Sequence, residues 1–492
     1  MKAVFRILVL LAAALVTVIL IADRASRDLS VEPGAAATTT STRISDLSRF
    51  GACSAGRERD SVGYTSAEVE PHGAVNPRNP SNLVATWQQD RWSDGGARAL
   101  PVAWSMDGGR TWSVSGLTDG PRVNLCSGGT QANGGNYERA SDPWVSFAPN
   151  GDLYHSSLAF NRSNDRNAVL ISKSTDGGKT WSDPIAVRKD ARAFNDKETV
   201  TADPLTDPGQ RESKAYAVWS RDGNAWFART TDGTAWDRAK PIFRDGFSVA
   251  HQIVVHKSGR LVDIFSLFKS RNRSYIAVIR STDGGPDRGD SWSDATIVSR
   301  ISFASPRDPD GNAKIRAGEG IPDIAADPQT GDLYAVWQDL LFEADGKRQA
   351  GIAFSVSRDA GETWTKPVRI NQPADALREA NDQAIIPTID VGGDGTVAVS
   401  YYDFRQNTDA GGVSTDHWLV RCRARTVSCT DRSNWSETHV AGPFDIEIAP
   451  KSMGLFLGDY MGLAAAGRRF VLFFVQSSVL PSNRTNVFVR RM

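Results

Sequence analysis

The chain has 492 residues, 57 of them basic and 57 acidic, and a formal net charge of zero. With no basic stripe to follow a phosphate backbone, nucleic acid is not an expected partner. The length exceeds what one hydrophobic core organises, so it calls for several domains or for a repeat that spreads the core.

At the N-terminus, Lys2 and Arg6 flank the start of an apolar run from Ile7 to Ala22. Positive charge ahead of a short apolar stretch describes an export signal, and this run sits between a signal peptide and a short membrane anchor in length. No clean small-x-small cleavage site stands immediately after the run, where Asp23-Arg24 follows at once, so residues 1–28 are assigned as signal peptide or retained anchor. Either places the rest of the chain outside the cytoplasm, secreted or tethered through that segment alone. Residues 29–47, rich in Ala and Thr, read as a disordered spacer, and 48–492 as the folded domain. Four cysteines in an exported chain suggest disulfides. Of the three pairings, the short spacing favours Cys422 with Cys429, which leaves Cys53 with Cys126. No spacing for zinc or for a calcium loop occurs and no cofactor is expected, the alternative being a calcium ion held by loop Asp residues without a motif.

From residue 68 onward one grammar repeats: an apolar strand, a Gly turn, a strand ending in aromatics, a variable loop, a third strand, an octet and a fourth strand. The octets are Ser105-Met-Asp107-Gly-Gly-Arg-Thr-Trp112, Ser174-Thr-Asp176-Gly-Gly-Lys-Thr-Trp181 and Ser357-Arg-Asp359-Ala-Gly-Glu-Thr-Trp364. Looser copies centre on Asp232 and Asp283, and a worn one spans Asp431 to Trp435. In each octet the Asp carboxylate accepts from backbone N–H groups of a tight turn, Gly takes a positive φ, and Trp opens the next strand. Asp107, Asp176, Asp232, Asp283 and Asp359 are therefore read as structural. Seven such units, the last without an octet, predict an all-β propeller of four-stranded antiparallel blades, with the N-terminal strand completing the last.

The octets resemble the Asp boxes of the sialidase-like (BNR-repeat) β-propellers, over residues 65–492. The resemblance implies six blades, an alternative to the seven counted from the units, with Asp boxes on the face away from the active site. It also implies a glycan substrate, three arginines for a sugar carboxylate, an Asp acid/base, and a Tyr nucleophile paired with a Glu. The family's Phe/Tyr-Arg-Ile-Pro motif is not found in this sequence.

The opposite face carries the charge. Starts of first strands hold Glu70, Glu138, Arg139, Asp142, Asp196, Glu198, Arg316, Glu319, Asp323, Asp382 and Asp459, and ends of second strands hold Arg91, Asp403 and Arg405. From these come the candidates. Glu70, Asp142, Asp403, Tyr402 and Tyr460 are the catalytic set. Arg91, Arg139, Arg316, Arg405 and Asp323 are the substrate-binding set. His72 and His251 are assigned structural roles. The leading expectation is a monomeric, sialidase-like (exo-α-sialidase-like) glycoside hydrolase acting on glycans or glycoconjugates. The alternative is a non-catalytic propeller that binds a glycan or protein.

Overall fold

The computed structural model describes residues 40–492 apart from 271–272, 284–287, 303–304, 312, 341, 343–349, 373–378, 409–410 and 481–482. The export segment expected over 1–28, and the spacer as far as residue 39, lie outside the described residues. Among those described, no helix is long and apolar enough to cross a membrane.

The molecule is all-β. Four-stranded antiparallel sheets start at Asn195–Ala202, Phe247–Val255, Asp323–Ala326 and Ala384–Val391. Two further units start at Glu68–Val75 and Arg139–Phe147. The short strand Ala97–Ala99 pairs with both of these units and joins them into one nine-stranded sheet. The last sheet takes Gly462–Ala466, Arg469–Leu480 and Asn483–Arg491 from the C-terminus and Thr42–Arg43 from the other end of the chain. The expected spacer is thus shorter than 29–47. Thr42 pairs with Val489, and Ile44 and Ser45 are buried, because a strand edge left open there would expose unpaired backbone groups.

Among the described residues, each first strand touches the next, and Gly462–Ala466 returns to Glu68–Val75. The sheets therefore stand around a central channel, as in a β-propeller. The hydrophobic core is divided accordingly. One cluster joins Val336 and Phe354 to Val399 and Tyr401 of the following sheet, and another joins Tyr154 and Val169 to Val200 and Trp219.

The octets close the turns before the fourth strands. Asp107 accepts from the amides of Arg110 and Thr111 (2.9 Å each) and from the Thr111 hydroxyl (2.6 Å). Trp112 Nε1 donates to Gly109 O at 3.2 Å, and Trp181 repeats this toward Gly178 O. The looser copy behaves alike, with Asp232 accepting from Thr234 N and Ala235 N. Disulfides join Cys53 to Cys126 and Cys422 to Cys429, which fits an oxidising, extracytoplasmic compartment.

One irregularity recurs and positions the site. Five first strands slip register at the same point, and the residue there has a positive φ: Glu70, Asp142, Lys197, Ala250 and Ile386. Pro71, Pro143 and Pro387 follow three of them; proline has no N–H to give a ladder and is at home in a bulge. A non-glycine residue at positive φ costs roughly 1–3 kcal/mol, a strain that collects at functional sites. Three of the five bulges carry charge, and their side chains meet.

Candidate functional site

Lys197 is the centre of the cluster. Its Nζ lies 2.7 Å from Asp459 Oδ2, 3.3 Å from Asp142 Oδ1 and 3.4 Å from Glu70 Oε1. Arg316 grips Asp459 through Nε and Nη2. Arg91 Nη1 donates to Gln88 Oε1 at 2.5 Å, and Gln88 in turn donates to Glu70. The Phe456 ring sits between the two guanidinium groups, 4.7 Å from Arg91 and 4.4 Å from Arg316. Glycine lets the seventh unit come this close: a Cβ on Gly318 would stand 2.2 Å from the Asp459 carbonyl oxygen.

The electrostatics follow from burial. Burial raises Glu70 to about 7; Asp142 and Asp459 add to this, and Lys197 and Arg91 oppose it. Burial likewise raises Asp196 to about 6, with Asp142 the strongest neighbouring charge. Burial, then Asp142, pushes Glu198 well above the usual carboxylate range. Burial would also raise Asp459, but Lys197 and Arg316 outweigh it and hold this carboxyl far down. Lys197 is held well up: burial works against its charge, but Asp142, Asp459 and Glu70 prevail. Two carboxylates are left over. Asp196 makes no side-chain hydrogen bond or ion pair among the described residues, and neither oxygen of the buried Glu198 has a partner there.

Two spaces meet at this cluster. A cleft of about 440 Å3 is lined by Arg91, Asp142, Asp196, Lys197 and Arg316. A smaller chamber below it is lined by Asp142, Lys197, Glu198, Trp144, Asp323 and Tyr460. Asp142 and Lys197 border both. Trp144 stacks on His72 at 3.7 Å and meets Tyr460 at 5.5 Å, so aromatic rings form part of the chamber wall. His72, lowered to about 3 by burial and by His155, is neutral here. Among the described residues no group of His, Cys, Asp or Glu is placed to hold a metal ion.

Of the residues singled out from the sequence, Glu70, Asp142, Arg91, Arg316 and Tyr460 converge here. Glu70 is a wall of the cluster rather than a lining of the cleft, since it is fully buried. Tyr460 donates to Pro143 O at 3.3 Å, and burial together with Glu70, Asp142 and Glu198 pushes its hydroxyl well up. Asp323 lines the smaller chamber but not the cleft. It latches the neighbouring first strand by accepting from Thr388 Oγ1 at 2.7 Å and Ile389 N at 2.9 Å.

The other four are elsewhere. Arg139 is buried against Trp92 and donates to Gly56 O, Gly95 O and Asp94, which staples the N-terminal arm to the sheet. Tyr402 is buried and exchanges hydrogen bonds with the Val475 backbone (2.9 and 2.8 Å), so it has no open face for a substrate. Asp403 and Arg405 belong to a separate knot. There Arg405 binds Asp403 and Glu437 and stacks on Trp418 at 4.0 Å, and Tyr401 donates to Glu437. Lys197 was missed because only arginines were sought as cations. The signal for it was the equivalent place in the third unit, one residue after Asp196 at the start of a first strand.

No protein-family model matches the chain, and no curated relative matches it in sequence. Solved structures do resemble it. The GH93 α-L-arabinofuranosidase of Fusarium graminearum with arabinobiose is 13% identical with a TM-score of 0.47, over 92% of this chain and 97% of that one. The Hadza microbial sialidase Hz136 is 15% identical with a TM-score of 0.44, over 85% and 75%. The intramolecular trans-sialidase from Ruminococcus gnavus is 13% identical with a TM-score of 0.41, over 89% and 96%. Fold and site together define a β-propeller with a charged cleft at its central channel. The likenesses, at these values, add nothing about chemistry.

Proposed function

We propose that the protein is an extracytoplasmic glycoside hydrolase acting on an anionic glycan. One observation carries this reading: two carboxylates of unlike environment line one cleft beside Lys197 and Arg316. Asp196, unpaired and raised to about 6, gives a proton to the leaving oxygen. Asp142, ion-paired to Lys197, serves as the second carboxylate. Two neighbouring carboxyl groups in unlike surroundings, one unpaired and one ion-paired, are the kind of pair that takes acid and base roles in glycosidases. Arg316, whose Nη1 is not used in the grip on Asp459, presents positive charge to an anionic group on the sugar. A sialylated glycan, whose sugar carries a carboxylate, is the first substrate to try.

A second reading follows from the chamber. Tyr460 and Glu198 both line it next to Asp142, which is the residue set a tyrosine-nucleophile scheme requires. The raised Tyr460 hydroxyl disfavours that scheme and places it second.

Turnover of a panel of fluorogenic glycosides, a sialoside included, tests both. Asp196→Asn and Asp142→Asn should each lose roughly 10²–10⁴-fold in kcat, the usual size of an acid–base contribution. Loss in Tyr460→Phe with full activity in Asp196→Asn would favour the second reading. A folded protein inert on the whole panel would leave a glycan- or protein-binding propeller.

A further inference from the structure

Four acidic side chains line the chamber below the cleft: Asp142, Glu198, Asp323 and Asp459. Three of them are paired. Asp142 and Asp459 share Lys197, and Asp323 accepts from Thr388 and Ile389. Glu198 is 2% exposed, and neither of its oxygens has a partner among the described residues. The polar groups around it are committed elsewhere. Lys197 has three N–H donors and three carboxylates to serve, Asp459, Asp142 and Glu70. Thr199 Oγ1 donates to His251 O at 3.0 Å. His251 itself is held by Asp263 at 2.8 Å and Ser248 at 3.1 Å. Tyr460 donates to Pro143 O, and Gln252 hydrogen-bonds Asp323.

A buried carboxyl group with both oxygens unpaired is costly, and its partner here has to come from outside the chain. The surroundings select that partner. The lining sets four carboxyl groups against one cation, Lys197, on which Glu70 also draws. Water supplies hydrogen bonds there but no charge. Among the described residues no set of His, Cys, Asp or Glu converges to hold a metal ion, which leaves an organic cation. Trp144 and Tyr460 contribute aromatic rings, and Lys197 Nζ already stands 5.5 Å from the Tyr460 ring centre, so this wall accepts an ammonium. The chamber holds about 40 Å3 where a single water needs roughly 10–15 Å3, so it takes a small group and not a sugar ring. Burial and the charge of Asp142 hold Glu198 toward its neutral form, and a cation beside it is what lets it ionise.

We propose that the chamber is a binding site for a primary ammonium group, with Glu198 as its carboxylate, and that the group is an amine carried by the sugar bound in the cleft. Asp142 and Lys197 border both spaces, so a substituent of a sugar seated in the cleft reaches the chamber past them. Lys197 does not repel it unopposed, because Asp459, Asp142 and Glu70 answer its charge. The amine's place on a sugar rests on the hydrolase reading above; the ammonium site itself rests on Glu198 and its surroundings. The substrate class becomes a sugar bearing both charges, an anionic group toward Arg316 and a free amine toward Glu198.

The test compares two glycosides of one anionic sugar at pH 7, identical except that one carries a free amine where its twin carries a hydroxyl, in wild type and Glu198→Gln. Wild type should prefer the amine by roughly tenfold or more in kcat/KM, the effect of one charge-assisted hydrogen bond, and Glu198→Gln should bring that ratio near one. The ratio is read within each protein, so a general loss of activity does not imitate the result; if Glu198→Gln does not fold, the wild-type ratio decides. A preference of the same size in both proteins overturns the site. Twins used alike by wild type overturn the sugar as the source of the amine. Methylammonium chloride replacing sodium chloride at equal ionic strength then decides the site: a higher melting temperature in wild type but not in Glu198→Gln keeps it, with a free small amine as its ligand. No rise overturns it and leaves a chamber that holds water only. If wild type hydrolyses neither twin, it is the hydrolase reading that fails, and the same comparison is made by titrating the twins: tighter binding of the amine, lost in Glu198→Gln, supports the site, and equal or absent binding, with no methylammonium effect, overturns it.

Discussion

Two clusters of carboxylates, arginines and tyrosine lie at strand ends of this propeller, and they are built to opposite plans. In the outer one, Asp403, Arg405, Glu437, Tyr401 and Trp418 answer one another: Arg405 binds both carboxylates, Tyr401 donates to Glu437, and Trp418 Nε1 donates to Asp403 at 2.9 Å. In the inner one, Lys197 is shared by three carboxylates, while Asp196 and Glu198 are left without side-chain partners among the described residues. Both clusters raise a carboxyl toward neutrality: Asp403 to about 7, by burial against Arg405, and Asp196 to about 6, by burial and Asp142. A perturbed acid alone therefore does not mark the site. What separates the two is saturation: the outer cluster has spent its donors and acceptors on itself, and the inner one borders a cleft with groups still to be satisfied.

The comparison is broken most severely at Lys197. In Lys197→Met, Glu70, Asp142 and Asp459 face one another without their shared cation, and removing one partner of a buried pair typically costs about 3–5 kcal/mol. Chemical unfolding should show a loss of that size, together with loss of turnover. Arg405→Ala should lose a similar stability, because it strands Asp403 and Glu437, yet keep kcat at temperatures where it is folded.

The pH dependence sharpens the contrast within the inner cluster. Glu70 and Asp196 are raised by folding, so the stability they contribute is fully present below their unfolded values near 4. It is lost as pH rises through about 6 and 7. Unfolding free energy should decline across that window, and Glu70→Gln should flatten the decline. The octets give the smallest effect. Asp107→Ala removes the acceptor for two amides and a hydroxyl on the far side of the sheet, and should cost about 1–2 kcal/mol with activity unchanged.

The sequence carried the architecture better than the chemistry, for a physical reason. Octet turns are local: Asp, Gly and Trp act within eight residues, so their spacing alone declares them. The site is assembled across units, and its geometry depends on bulges whose positive φ falls on Glu70, Asp142 and Lys197, residue types that do not announce it. Only Pro71, Pro143 and Pro387 hinted at the slip, one residue past three of the five bulges. Position at a strand end brought in Glu70, Asp142, Arg91 and Arg316, and by the same criterion Asp403, Arg405 and Arg139. Partner saturation, which tells these groups apart, is a property of side-chain contacts between distant segments and leaves no pattern in the chain. Tyr402 shows the limit most plainly: one residue from Tyr401 in sequence, it points to the opposite face of its strand and pins the next sheet through Val475.

The central claim is that the unsaturated inner cluster, and not the saturated outer one, does the chemistry. The direct test measures kcat on the best glycoside of the panel, alongside thermal unfolding, for Asp196→Asn and Asp403→Asn. Asp196→Asn should lose roughly 10²–10⁴-fold in kcat and keep its melting temperature, because no partner is abandoned. Asp403→Asn should melt earlier and keep kcat. Full activity in Asp196→Asn, or a kcat loss in Asp403→Asn without a fall in melting temperature, would contradict the account.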